Sequence, residues 1–138
     1  MFKNEKTVLK ARELAKALQE SSCYKAYELA SQANDEDTEL QEQIGRFNLA
    51  QMNLDNERHQ EQPSEEMLQL YASQMQQEYQ QIMANPNMLR YQRAVEDLNS
   101  LMTLINGIIA AGVNGEDPDQ VTEDTVCTHD CSTCGGCL

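Results

Sequence analysis

The sequence predicts an all-α protein: a small bundle of about five helices, two or three of them long, with a long C-terminal helix and a flexible tail beyond it. Three observations predict it. Gln, Glu, Leu, Met and Ala are abundant, whereas β-branched and aromatic residues are scarce, and the abundant types are good helix formers. Apolar residues recur three and four apart along several stretches, the spacing of one helix face. Short breaks rich in Ser, Asn and Pro separate those stretches, where helices are capped or ended. At 138 residues the chain has the length of one domain and can bury a hydrophobic core.

In chain order, Asn4 is placed to cap a first helix running to about Glu20, with Val8, Ala11, Leu14, Ala15 and Leu18 on one face. Ser21 and Ser22 are placed to cap a short second helix from about Cys23 to Ala33, and "ND" punctuates the chain after it. A long polar helix is expected from about Asp35 to Gln60, with Leu40, Ile44, Phe47 and Leu54 as its thin apolar stripe. Pro63 breaks it. Ser64 then caps a helix to about Ala84, whose first turn carries Glu65 and Glu66 against the helix dipole. Asn85 caps the last helix with Pro86 at its first position, where the missing N–H costs nothing. That helix is expected to reach about Ala111. Met88, Tyr91, Val95, Leu98, Met102, Ile105 and Ile109 alternate three and four apart along it, a heptad seam that calls for a second helix as an oligomer or partner interface. Gly112, Gly115 and Pro118 then end the pattern. The expected organisation is a helical domain over 1–112, an acidic linker over 113–125 and a cysteine-rich tail over 126–138.

The formal net charge is −13. Glu116, Asp117, Asp119, Glu123, Asp124 and Asp130 lie after Val113, where there is no Lys or Arg. Tight direct binding to nucleic acid depends on cations that neutralise phosphates, so this balance argues against it. Lys3, Lys6, Lys10, Arg12 and Lys16 cluster at the start and read as a solvated helix face. The N-terminus has no signal pattern, and no segment approaches the ~20 apolar residues of a membrane span. A cytoplasmic protein without membrane insertion is expected, and a reducing compartment favours metal or redox roles for thiols over structural disulfides.

The chemistry is concentrated in "VCTHDCSTCGGCL", where Cys127, Cys131, Cys134 and Cys137 stand in the order C-x3-C-x2-C-x2-C. Thiolates are soft ligands that suit zinc and iron–sulfur clusters. Four-Cys zinc sites usually set two C-x2-C pairs apart by a long loop, which is missing here. Successive short spacers are how ferredoxin-type loops present their sulfurs, and Gly135 and Gly136 let the backbone wrap closely. A [4Fe–4S] cluster is the expected cofactor, with zinc, or redox thiols without fixed metal, as alternatives. His129 is a possible zinc ligand in place of one Cys. Cys23 reads as a small buried apolar residue and His59 as a solvated one. No phosphate-cradling glycine loop, H-E-x-x-H or nucleophile elbow occurs, so no enzyme is expected.

The stretches "ARELAKALQESSCYKAYELA", "LQEQIGRFNLAQMNL", "YQQIMANPNMLRYQRAVEDLNSLMTLINGIIA" and "GEDP" resemble the YlbF/YmcA family of bacterial regulators, over roughly residues 5 to 118. The resemblance implies a helical protein that self-associates and acts with YmcA-like and YaaT-like proteins on RNase Y-dependent mRNA processing. It also implies effects on competence, sporulation and biofilm formation, and association with [4Fe–4S] clusters, for which the four tail cysteines would be the ligands. The leading expectation is a regulatory adaptor with a tethered cluster. The alternatives are a small iron–sulfur electron carrier and a zinc-binding helical scaffold.

Overall fold

The computed structural model describes residues 1–126. They form five α-helices: α1 (Lys6–Glu20), α2 (Ser22–Glu36), α3 (Thr38–Arg58), α4 (Glu65–Ala84) and α5 (Pro86–Val113). Two 3₁₀ turns follow, at Pro118–Gln120 and Glu123–Thr125, and no strand occurs among the described residues. The all-helical class and the long C-terminal helix are as the composition and periodicity predict.

The caps explain where each helix starts. Ser21 accepts from the Tyr24 N–H at 3.2 Å and its own hydroxyl donates to the Leu18 carbonyl at 2.6 Å, so one residue ends α1 and opens α2. The Ser64 hydroxyl accepts from the Met67 N–H at 3.3 Å, and its backbone N–H donates to the Glu57 carboxylate across the turn at 2.8 Å. Asn85 Oδ1 accepts from the N–H groups of Asn87 and Met88 at 2.8 and 3.3 Å. Two expectations are corrected. Glu5, rather than Asn4, precedes α1 and makes no side-chain cap. The break between α2 and α3 is not at Asn34 and Asp35 but at the single residue Asp37, because its carboxylate is the group that caps α3, accepting from the Leu40 N–H at 3.0 Å.

The chain divides into two compact units inside α5, one of Met1–Ala94 and a second beginning at Val95. The first turns of α5 are held by the N-terminal unit: the Tyr91 ring lies 5.8 Å from that of Tyr27 in α2, and Asn87 Nδ2 donates to Asp37 at 2.9 Å. Within this unit α3 and α4 form an antiparallel hairpin. Phe47 meets Tyr79 with ring centroids 6.2 Å apart, and Arg46 Nε donates to Glu78 Oε1 at 3.0 Å. The Arg46 side chain is half exposed, so the ion pair contributes at most about 1 kcal/mol and mainly fixes register. Leu40, Ala50, Leu54 and Ile82 are the buried apolar residues of the hairpin, and Ala30 of α2 is buried with them. Among the described residues Leu40 is the one large side chain fully buried. By contrast α1 has no buried residue: Val8 and Leu18 are half-buried, and Ala11, Leu14 and Ala15 are exposed.

Asp37 joins the two ends of this unit. One carboxylate oxygen caps α3, while the other accepts from Asn85 Nδ2 at 3.1 Å and Asn87 Nδ2 at 2.9 Å. Hydrogen bonds from the Leu40 N–H first, then from Asn87 and Asn85, favour the charged form and hold the carboxyl below its ordinary 3.8. A depressed folded-state pKa adds stability that is present above the unfolded value and lost as pH falls through the folded one. Asp37→Asn, which keeps the shape and removes the charge, is therefore expected to unfold at lower urea than the parent at pH 7. The two midpoints should converge as pH drops below 3.8. A midpoint gap that persists unchanged to pH 2 would show that the carboxylate's charge is not what matters.

Candidate functional site

Cys127, Cys131, Cys134 and Cys137, like His129, lie outside the described residues; the structure describes the approach to them. α5 ends in a backbone reversal. Gly115 takes φ +77°, a left-handed conformation that suits glycine, and the Glu116 N–H reaches back to the Ala111 carbonyl at 2.9 Å while the Gly115 N–H reaches Gly112 at 3.3 Å. This pairing satisfies the last carbonyls of the helix and sends the chain back along it. Asp117 caps the first 3₁₀ turn through the Asp119 N–H at 3.0 Å, and Thr125 Oγ1 accepts from the Thr122 N–H at 2.8 Å in the second. The segment expected as a linker thus runs as a strap beside α5, with an open groove of about 590 Å³ between them lined by residues from Thr103 to Val126.

Gly107 is where the strap meets the helix. A Cβ there would fall 2.8 Å from Val126 Cγ2, too close unless that side chain moves, and 3.5 Å from Val121 Cγ1, an ordinary contact. Glycine inside a helix costs about 1 kcal/mol relative to alanine. Here it opens a notch that receives Val126, the residue before the first of the four cysteines. The strap lies over the Thr103, Gly107, Ala110 and Asn114 face. At about 100° per residue the seam positions Met102, Ile105 and Ile109 lie roughly a third to a half of a turn away from it.

The seam residues divide between the two units. Met88 is half-buried and Tyr91 is engaged with Tyr27. Val95, Leu98, Met102 and Ile105 are half-buried, and Ile109 is 54 % exposed, as Ile108 is 37 % and Val113 82 %. Cys23 is half-buried in the first turn of α2, and the exposed His59 sits at the end of α3 with Nδ1 2.6 Å from the Asp55 carbonyl. Among the described residues no group of three or more His, Cys, Asp or Glu side chains is placed to hold a metal, so a metal role rests on the tail donors alone. No helix is long and apolar enough to cross a membrane.

Sequence reasoning missed Gly107 and Asp37. Each left a signal. A glycine in the middle of an otherwise unbroken apolar pattern marks a close approach, and an aspartate directly before "TEL" is an N-cap. Gly107→Ala is expected to strengthen α5 by about 1 kcal/mol of helix propensity and yet to loosen the strap, since overpacking a tight contact costs about 1–3 kcal/mol. Faster amide exchange at Val121, Thr122 and Thr125, with helicity unchanged or higher, would register both effects. In Gly115→Ala the open surroundings leave only the backbone penalty, about 1–2 kcal/mol. Exchange at the Glu116 amide should rise. Unchanged strap exchange in both variants would show that neither glycine holds it.

No curated protein and no solved structure matches the chain significantly. A family model described as control of competence regulator ComK, YlbF/YmcA, matches residues 8–114, from α1 to the C-terminal end of α5, so the strap and the cysteine run lie beyond the matched segment. With that match covering most of the chain and all five helices, the protein belongs to the YlbF/YmcA family.

Proposed function

We propose that this protein is a non-enzymatic regulatory adaptor, in which the helical body self-associates and docks partner proteins while the C-terminal cysteines hold a redox-responsive [4Fe–4S] cluster. The family is one of control of the competence regulator ComK, which supports a regulatory role. By the resemblance drawn from the sequence, the partners are YmcA-like and YaaT-like proteins and RNase Y, and the process is mRNA processing with consequences for competence, sporulation and biofilm formation. The seam of α5, half-buried to exposed from Val95 onward, supports docking through that helix.

The donor set fits the cluster by its chemistry. Four thiolates within eleven positions satisfy a cluster's need for four soft anionic ligands, and Gly135 and Gly136 permit the close backbone turn. Cys127, Cys131, Cys134 and Cys137 would hold it. When bound, such a cluster supplies one-electron redox chemistry and sensitivity to oxygen and iron supply. The single observation that carries the reading toward a sensor is the docked strap. Val126 lies in the Gly107 notch, so the root of the cysteine segment is fixed to the helix that also bears the docking seam. Ligand exchange at the cysteines would thereby act on a segment seated on α5. Zinc at the same thiolates, in a purely structural role, is the alternative.

Anaerobic purification with visible spectroscopy and metal analysis decides between them. The intact protein is expected to carry about four iron and four sulfide per chain, lost in a chain ending at Val126 and in the variant with all four cysteines changed to Ser. Stoichiometric zinc without iron, or full regulatory effect in the four-Ser variant, would overturn the sensor.

A further inference from the structure

Helix α1 is basic and has no buried residue. Five of the ten Lys and Arg residues of the chain fall in its lead-in and body: Lys3, Lys6, Lys10, Arg12 and Lys16. At about 100° per residue, Val8, Ala11, Leu14, Ala15 and Leu18 occupy one arc of about 120°. Lys6 and Lys10 border that arc on one side and Arg12 and Lys16 on the other. This apolar strip with cationic edges is left open along its middle, where Leu14 is 40 % exposed and Ala11 and Ala15 are exposed, while Val8 and Leu18 at its ends are half-buried. An apolar face of this kind is stable in water only when something covers it.

The region from Val95 to Val126 is its complement. It bears seven carboxylates, from Glu96 to Asp124, and no Lys or Arg. It also carries the incompletely covered seam of Val95, Leu98, Met102, Ile105 and Ile109, which the strap leaves free. The lengths are compatible: at about 1.5 Å per residue the strip from Val8 to Leu18 spans about 15 Å and fits within the roughly 21 Å from Val95 to Ile109.

We propose that α1 is a docking arm whose apolar strip lies along the α5 seam of a second copy of this chain, its flanking cations facing that copy's acidic C-terminal unit. The arrangement is reciprocal, as a two-fold dimer requires, because each copy offers one arm and one seam. An anionic membrane or a nucleic acid would satisfy the cations too, and a membrane would also cover the apolar strip. However, either would have to approach a chain of net charge −13, whereas the acidic C-terminal unit of a second copy offers both the opposite charge and an open apolar seam. The inference rests on the self-association reading and adds to it which surfaces meet.

The test uses full-length protein. A photo-crosslinking residue at Leu14, in a mixture of ¹⁴N- and ¹⁵N-labelled chains, is expected to give mixed-isotope crosslinks mapping to the 98–109 segment. Sedimentation should show a dimer whose Kd rises at least about tenfold in the Lys6→Glu, Lys10→Glu, Arg12→Glu, Lys16→Glu variant and also rises with salt. Far-UV circular dichroism confirms that the variant keeps its helices. Crosslinks confined to one chain, or a dimer indifferent to the charge reversal, would overturn the arm while leaving self-association standing. A strict monomer would overturn both. Co-sedimentation of the parent with phosphatidylglycerol vesicles or RNA at physiological salt, abolished by the same reversal, would assign the arm to that anion instead.

Discussion

The carboxylate of Asp37 joins three helix ends. It caps α3 through the Leu40 N–H, and it accepts from Asn85 and Asn87, which lie 48 and 50 residues further along the chain, at the end of α4 and the start of α5. An ionised carboxylate is suited to this because it has two oxygens that only accept, and its bonds to N–H donors are stronger than neutral ones. The α3–α4 hairpin is closed at this end by that node and at the other by the Glu57 to Ser64 bond, so its register is fixed at both ends by polar contacts. Such contacts matter more here than in most domains. Leu40 is the one large side chain fully buried among the described residues, and the apolar term that usually dominates stability is correspondingly thin.

That thinness has a counterpart in assembly. The apolar residues written into α1 and α5 at helical spacing are as regular as those of the hairpin, yet the isolated chain covers the hairpin's and leaves much of the others open. A helix face patterned for burial but not buried within the chain is a surface that a partner can cover, and the chain belongs to a family described as control of the competence regulator ComK. α5 serves two purposes along its length. Its first turns belong to the N-terminal unit through Tyr91 and Asn87, and its later turns present the seam on one side and receive the strap on another. A small residue is what permits the second. A side chain at position 107 would meet Val126 at 2.8 Å and force a shift there, loosening the strap just before the first cysteine.

Much of this was legible in the residues. The helix starts at Ser64 and Asn85 follow from local chemistry, because a hydroxyl or amide oxygen one residue before a helical run satisfies free N–H groups whatever surrounds it. The family resemblance was legible too, in stretches that span the helices. The α2–α3 break was misplaced because "ANDED" offers several possible caps, and local pattern does not choose among Asn34, Asp35 and Asp37. The choice falls to the one whose second oxygen meets Asn85 and Asn87, and that meeting is tertiary.

The sequence by itself determined the helical class, the order of the five helices, the charge asymmetry between the two ends and the four-thiolate run, since each of these depends on residue type and near-neighbour spacing alone. Only the tertiary structure decided which patterned faces are covered, where the compact units divide, and that the acidic segment turns back on α5. Those outcomes depend on distances between residues remote in the chain. The fit of Val126 at Gly107 and of Asn87 at Asp37 is a matter of shape and approach, to which periodicity and composition carry no direct clue.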